Sequence, residues 1–150
     1  MKQPDYSSIR AYLYEHIPLS KAMEVEIVKV TQELVILAAP IKPNINHRST
    51  VFGGSASALA ILGAWTLVNF RLQGEGIFSR LVIQKNSINY DKPIVDDFEA
   101  VCTLNKPEIW TRFVKTFQRK KKSRITVNSI LQCQGETLGE LTGVFVALGT

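Results

Sequence analysis

Two adjacent glycines at the head of an apolar run are the residues best placed for chemistry in this chain. Gly53-Gly54 close the polar stretch Asn44-Ile-Asn46-His47-Arg-Ser-Thr50-Val-Phe52 and open a run that carries no charge until Arg71. The run reads as a helix over Ala56–Phe70. The first N–H groups of a helix have no partner inside it and sit at the positive end of its dipole. Glycine lets a carbonyl oxygen approach that backbone with no side chain in the way. Donors so placed stabilise a developing oxyanion, one donor being typically worth ~3 kcal/mol of barrier. The plain alternative is that the pair only makes a turn.

Other residues near the turn could complete such a site. The Asn46 amide can hold a water but cannot take a proton. His47, with an ordinary pKa near ~6.5, is a candidate base, or else an exposed loop residue. Asp96 and Asp97 are further candidate bases, although Asp is also common where a turn needs local backbone hydrogen bonds. Ser55 can bond to a substrate or a water; as a nucleophile it would need an adjacent base. Far along the chain, Arg119-Lys120-Lys121-Lys122 form a basic run, with Arg112, Lys115 and Arg124 nearby. Such a run suits an anionic partner, and a solvated loop is the equally simple reading.

These residues must be positioned by a small set of elements. Ser7 or Ser8 can cap a helix running to Ile17, with Ile9, Leu13 and Ile17 on one face. Pro18 ends it. Met23–Ile27 alternates as a strand, and the continuously apolar Leu34–Ala39 reads as a strand covered on both faces. After the central helix, Gly74-Glu75-Gly76 makes a stop. Strands follow at Leu81–Tyr90 and Phe98–Leu104. A short helix after Pro107 runs into the basic loop, and strands at Ile125–Cys133 and Leu138–Leu148 flank the Gln134-Gly135-Glu136 turn. Strands joined by short turns pair antiparallel. One unbroken apolar helix among them must be wrapped, because it has no polar face for water. The expected class is therefore α+β.

Composition narrows the field. The chain has 150 residues, 45% hydrophobic and 21% charged, with a net charge of +5. That fits one ordinary globular domain with a real core, and no linker interrupts it. Cys102 and Cys133 are too few for a zinc site with only His16 and His47 to help, and both fall in strand patterns. They read as reduced core residues of a cytoplasmic protein. His16, at the end of the first helix, is favourable there for its charge alone. The polar N-terminus lacks the apolar run of a signal peptide. The helix over Ala56–Phe70 is shorter than the ~20 residues of a membrane span, so it reads as core. No aromatic-interleaved basic strand speaks for nucleic acid.

The order of elements resembles the hotdog fold, in which a sheet wraps one long helix. Asn46-His-Arg-Ser-Thr-Val-Phe-Gly-Gly54 is similar to the loop of hotdog acyl-CoA thioesterases, where an Asn precedes a His-Gly-Gly turn. Tyr90-Asp-Lys-Pro93 resembles the turn between their following strands, and Arg119-Lys-Lys-Lys-Ser their basic stretch. His16-Ile-Pro-Leu, Ala39-Pro40, Asn44-x-Asn46, Thr50-x-Phe52-Gly-Gly-Ser55 and Trp65 resemble a thioesterase family sometimes found behind a GNAT-type acetyltransferase, a domain for which this chain has no room. The likeness covers nearly the whole chain.

It implies hydrolysis of acyl-CoA or acyl-carrier-protein thioesters by a homodimer, with the site shared across the interface. It implies no cofactor beyond the coenzyme A moiety of the substrate. Asn46, Gly54, Ser55 and His47 would be catalytic; Phe52, Gly53 and Arg119 to Lys122 would bind substrate. Two departures stand out. Phe52 replaces the turn His, and Ile61 replaces a helical carboxylate. A non-catalytic acyl-binding domain is the second reading, and a dehydratase of the same fold is disfavoured by both departures.

Overall fold

The computed structural model describes residues 4–149, so Met1 to Gln3 of the polar N-terminal stretch lie outside it. The elements are α1 (Tyr6–His16), α2 (Pro18–Ala22), β1 (Glu26–Val30), β2 (Leu34–Ala39), a single 3-10 turn (Lys42–Asn44), α3 (Gly53–Gly74), β3 (Arg80–Tyr90), β4 (Phe98–Thr103), α4 (Pro107–Lys120), β5 (Lys122–Cys133) and β6 (Glu136–Leu148). The six strands form one antiparallel sheet in the order β1-β2-β4-β5-β6-β3. The sheet wraps α3, which packs against β2, β3, β4, β5 and β6. This is the expected α+β hotdog architecture.

Helix α3 is longer than its sequence reading, starting at Gly53 and ending at Gly74. Its 22 residues are enough to cross a membrane by length and composition. Length therefore does not exclude a span, and burial marks α3 as a core helix: Leu59, Ala60, Ala64, Leu67 and Val68 are fully buried. Gly63 marks the closest approach. A Cβ built there would lie 2.5 Å from Cys102 Sγ. The Ser129 hydroxyl sits 3.1 Å from that sulfur and donates to Ala60 O at 2.8 Å, tying β4 and β5 to the helix. Burial pushes the Cys102 thiol up to about 12, with Ser129 opposing. This thiol is a packing group, because the reactive species is the thiolate.

Several boundaries differ from the sequence reading. Asp5, rather than a serine, caps α1, its Oδ1 accepting from the Ser7 and Ser8 N–H groups at 3.0 and 3.4 Å. Asp is as good a cap as Ser and here stands one residue ahead of the helix. Pro18 opens α2 as well as closing α1. Met23 and Glu24 form a turn, with Glu24 at φ 57°, so β1 begins only at Glu26. The basic run is not a loop. Arg119 and Lys120 are the last helical turn of α4, Lys121 is its left-handed cap at φ 58°, and Lys122 begins β5.

Candidate functional site

The start of α3 is fixed by a compact loop. The Phe52 N–H donates to Asn44 O and the Asn46 N–H to Thr50 O, both at 2.8 Å, while Ile45 and Val51 form a bridge. Asn44 is buried and its amide donates to Met23 O at 3.0 Å and Pro40 O at 2.8 Å. One side chain thus ties the loop to the end of α2 and the end of β2. The Val51 N–H reaches across to Ile94 O at 2.8 Å, which seats the β3–β4 turn against the loop.

Asn46 is occupied by the loop itself. Its Oδ1 accepts from the Arg48 and Thr50 N–H groups at 2.8 and 3.1 Å, and its Nδ2 donates to Thr50 Oγ1 at 2.8 Å. Its place in the geometry is to shape the loop tip, where Ser49 takes φ 63°. Among the described residues His47 makes no hydrogen bond or ion pair, and it is exposed.

Phe52 precedes the helix with extended backbone and no side chain caps it. The N–H groups of Gly53, Gly54 and Ser55 precede the first intrahelical bond, from Ala56 N–H to Phe52 O at 3.0 Å. They form the unpaired donor end of the helix. The Phe52 ring, 57% exposed, folds over Gly54, so that a Cβ at 54 would sit 2.4 Å from its Cε2. Gly53 faces Tyr90 instead, whose hydroxyl donates to Gly53 O at 3.0 Å. Gly54 therefore does more than turn the chain: it admits the Phe52 ring against the first helical turn, whereas a Cβ at Gly53 would meet Tyr90 at an ordinary 3.5 Å.

Beside this donor end opens a cleft of about 310 Å³, walled by Thr50, Gly53, Tyr90, Asp91 and Lys92 over an apolar floor of Val51, Ile94, Leu131 and Leu138. Lys92 is ion-paired to Glu136, and that hydrogen bond raises its pKa. Asp91 is the carboxylate lining this cleft. Tyr90 and Asp91 were not in the sequence-level site. Their signal was the Tyr-Asp-Lys-Pro turn, legible as a turn but not as a wall. Asp96 and Asp97 serve the backbone instead. Asp97 Oδ1 accepts from the Ile41 N–H at 2.9 Å, and the Asp96 carboxylate accepts from the Asp97 N–H at 2.7 Å and from Gln134 Nε2 at 3.1 Å.

The basic run stands elsewhere. Lys122 and Arg80 both pair with Leu148, whereas Leu131 and Tyr90 both pair with Gly139. Nine steps of β5 separate these ends, about 30 Å at ~3.4 Å per residue. Arg119 to Lys122 and the donor end of α3 thus lie at opposite ends of one chain. Ile61 lies on α3 among apolar neighbours, in the wall of a second, separate cavity. Among the described residues no group of three or more His, Cys, Asp or Glu converges as a metal site.

Solved structures share this architecture. A protein of unknown function from Chlorobaculum tepidum superposes with a TM-score of 0.90 at 26% identity, over 97% of this chain and 94% of that one. A protein described as a putative thioesterase from Shewanella oneidensis gives 0.85 at 23% identity, over 95% and 96%. A Pseudomonas aeruginosa protein described as of unknown function and a probable thioesterase gives 0.80 at 16% identity, over 99% of each. The model of the family described as Putative thioesterase (yiiD_Cterm) matches residues 6–149. With that match spanning almost the whole chain, on a hotdog fold whose sheet wraps one long helix, the chain belongs to the family so described.

Proposed function

We propose that this protein hydrolyses acyl thioesters of coenzyme A or acyl carrier protein. The observation that carries the reading is the uncapped donor end of α3, whose first residue, Gly53, lines a cleft that holds one carboxylate. In this reading the substrate carbonyl oxygen accepts from the Gly54 and Ser55 N–H groups. A water attacks the carbonyl carbon as Asp91 takes its proton. The tetrahedral oxyanion is held by the same donors, then the C–S bond breaks. The thiolate leaves with the proton from Asp91, giving one carboxylic acid and one thiol. Asp91 thus takes the place that Ile61 leaves empty, with His47 the alternative base on the exposed loop.

The distance to the basic run supports a dimer. Strand β3 is outermost, and its outer edge is unpaired among the described residues over eleven positions. An exposed edge of that length favours pairing with a second copy. A two-fold antiparallel pairing about Lys85 sets Tyr90 of one copy beside the Arg80 end of the other. That is the end where Lys122 starts β5, so the basic run of each copy would approach the cleft of the other. There it suits the phosphates of coenzyme A or the acidic face of an acyl carrier protein.

A second reading is favoured by Ile61 and the uncharged α3: an acyl-binding domain without turnover. Release of free thiol from acyl-CoAs of two to eighteen carbons, and from acyl carrier protein substrates, decides between them. No rate above background on any of these sinks the hydrolase. Saturable binding without thiol release supports the second reading. Sedimentation as a monomer at micromolar concentration would overturn the shared site.

A further inference from the structure

Between α2, α3 and the β3/β6 side of the sheet lies a cavity of about 270 Å³. Ile17, Met23, Ala58, Ile61, Trp65 and Phe145 supply its main walls. Among its lining residues the side chains with a polar N–H or O–H group are Trp65 and Ser20. Both are already engaged: Ser20 Oγ donates to Ile17 O at 2.7 Å and Trp65 Nε1 donates to Leu81 O at 2.9 Å. The cavity therefore offers a ligand almost entirely apolar surface. A sugar, a nucleotide or a carboxylate would lose its water there without compensation.

The cavity wall lies on the same face of α3 as Gly54, beginning one turn beyond it. Gly54, Ala58, Ile61 and Trp65 are spaced by four, three and four residues, so they fall in one column. At ~1.5 Å per residue, Ala58 lies about 6 Å beyond Gly54 along the axis, and Trp65 about 16 Å beyond it. Phe52 forms the lip where the column begins.

We infer that this cavity receives the distal part of a straight acyl chain of about ten to fourteen carbons, on the reading that the helix N-terminus holds the thioester carbonyl. Two measures give that length. A zigzag of ~1.5 Å bonds advances roughly 1.3 Å per carbon, so the first four or five carbons span the lead from Gly54 to Ala58 and about eight more reach Trp65. The volume agrees: at roughly the ~30 Å³ a water takes in the liquid, 270 Å³ holds about nine methylenes. Ile61 is thereby explained. It stands in the middle of the column, where a carboxylate would put a charge against the chain.

The test combines turnover and binding on the intact protein. With straight-chain acyl-CoAs, kcat/KM is flat from two to four carbons. It then rises by up to roughly fourfold per methylene once the chain enters the cavity. The rise ends near twelve to fourteen carbons. Non-hydrolysable S-alkyl-CoA thioethers are titrated in parallel, followed by tryptophan fluorescence, with Trp65→Phe identifying the reporter. Ala58→Leu and Ile61→Trp, which shorten the column, move both optima to shorter chains.

Turnover independent of chain length, or optima unmoved in a folded variant, overturns the assignment. No turnover with chain-length-dependent thioether binding rejects hydrolysis and keeps the cavity assignment. Absence of both overturns both. If neither variant folds, the wild-type chain-length series decides alone. A Trp65 signal that depends on protein concentration and not on alkyl length assigns the cavity to contact between copies and overturns the inference.

Discussion

Gly54→Ala separates the donor end of α3 as a site from the same glycine as a mere turn. The new Cβ would stand 2.4, 3.0 and 3.2 Å from Phe52 Cε2, Cδ2 and Cζ. It therefore cannot coexist with the ring where it now lies. Phe52 is 57% exposed, so the ring can swing into solvent at little cost. Alanine also favours helix over glycine by up to about 1 kcal/mol. Stability should thus stay within about 1 kcal/mol of the native protein. Activity should not. In this structure the Phe52 ring covers the flank of Gly54, so a carbonyl oxygen reaches the Gly54 and Ser55 N–H groups by that side only as the ring swings out, and the methyl group would then stand in the ring's place. Loss of one such donor costs about 100- to 1,000-fold in kcat. Thiol-release kinetics and a thermal melt on the same sample measure both quantities. The double variant Phe52→Ala with Gly54→Ala separates ring displacement from blocked donors, because it removes the clash and leaves the methyl group. It should remain as slow as Gly54→Ala. A folded Gly54→Ala protein within roughly threefold of native kcat/KM would refute the donor-end site. A loss of several kcal/mol would show that the ring is not free to move.

Three further outcomes follow from the geometry. Asp91→Asn should lower kcat by about 100- to 10,000-fold, the range for loss of a general base, with an unchanged melt; native kcat in this variant transfers the role to another group. Gly63→Ala should destabilise the fold by about 1–3 kcal/mol, because Cys102 Sγ lies 2.5 Å from the new Cβ and is held by Ser129; adding Cys102→Ala should recover part of it, and simple additivity in denaturant melts would count against that contact. Asp5→Ala should lower the melting temperature at neutral pH. Hydrogen bonds from Ser7 and Ser8 hold the Asp5 carboxyl below its ordinary 3.8. Its contribution is therefore fully present above that value and is lost as pH falls through the lowered folded-state pKa, so native and variant melts should converge in acid.

The architecture is legible in the amino-acid sequence. From Ser55 to Phe70 there is no charge and no polar stripe, and only a surrounding sheet can cover such a helix. The strands announced themselves by alternation, and Gly53-Gly54 by composition. These are local signals, set by neighbours a few residues apart. Which distant groups meet depends on how the elements pack. The shared partner Leu148 sends the basic run to the end opposite the site, although nothing in its composition says so. Packing of the β3–β4 turn on the loop brings Tyr90 to Gly53 and Asp91 into the cleft. Loop closure engages the Asn46 side chain, which spacing alone had offered to a water. Ile61, read in the sequence as a missing carboxylate, stands in the structure as the wall of an apolar cavity. The physical reason is the same in each case. Strand register and helix docking are fixed by burial of the whole core, and that sum is not written at any one position.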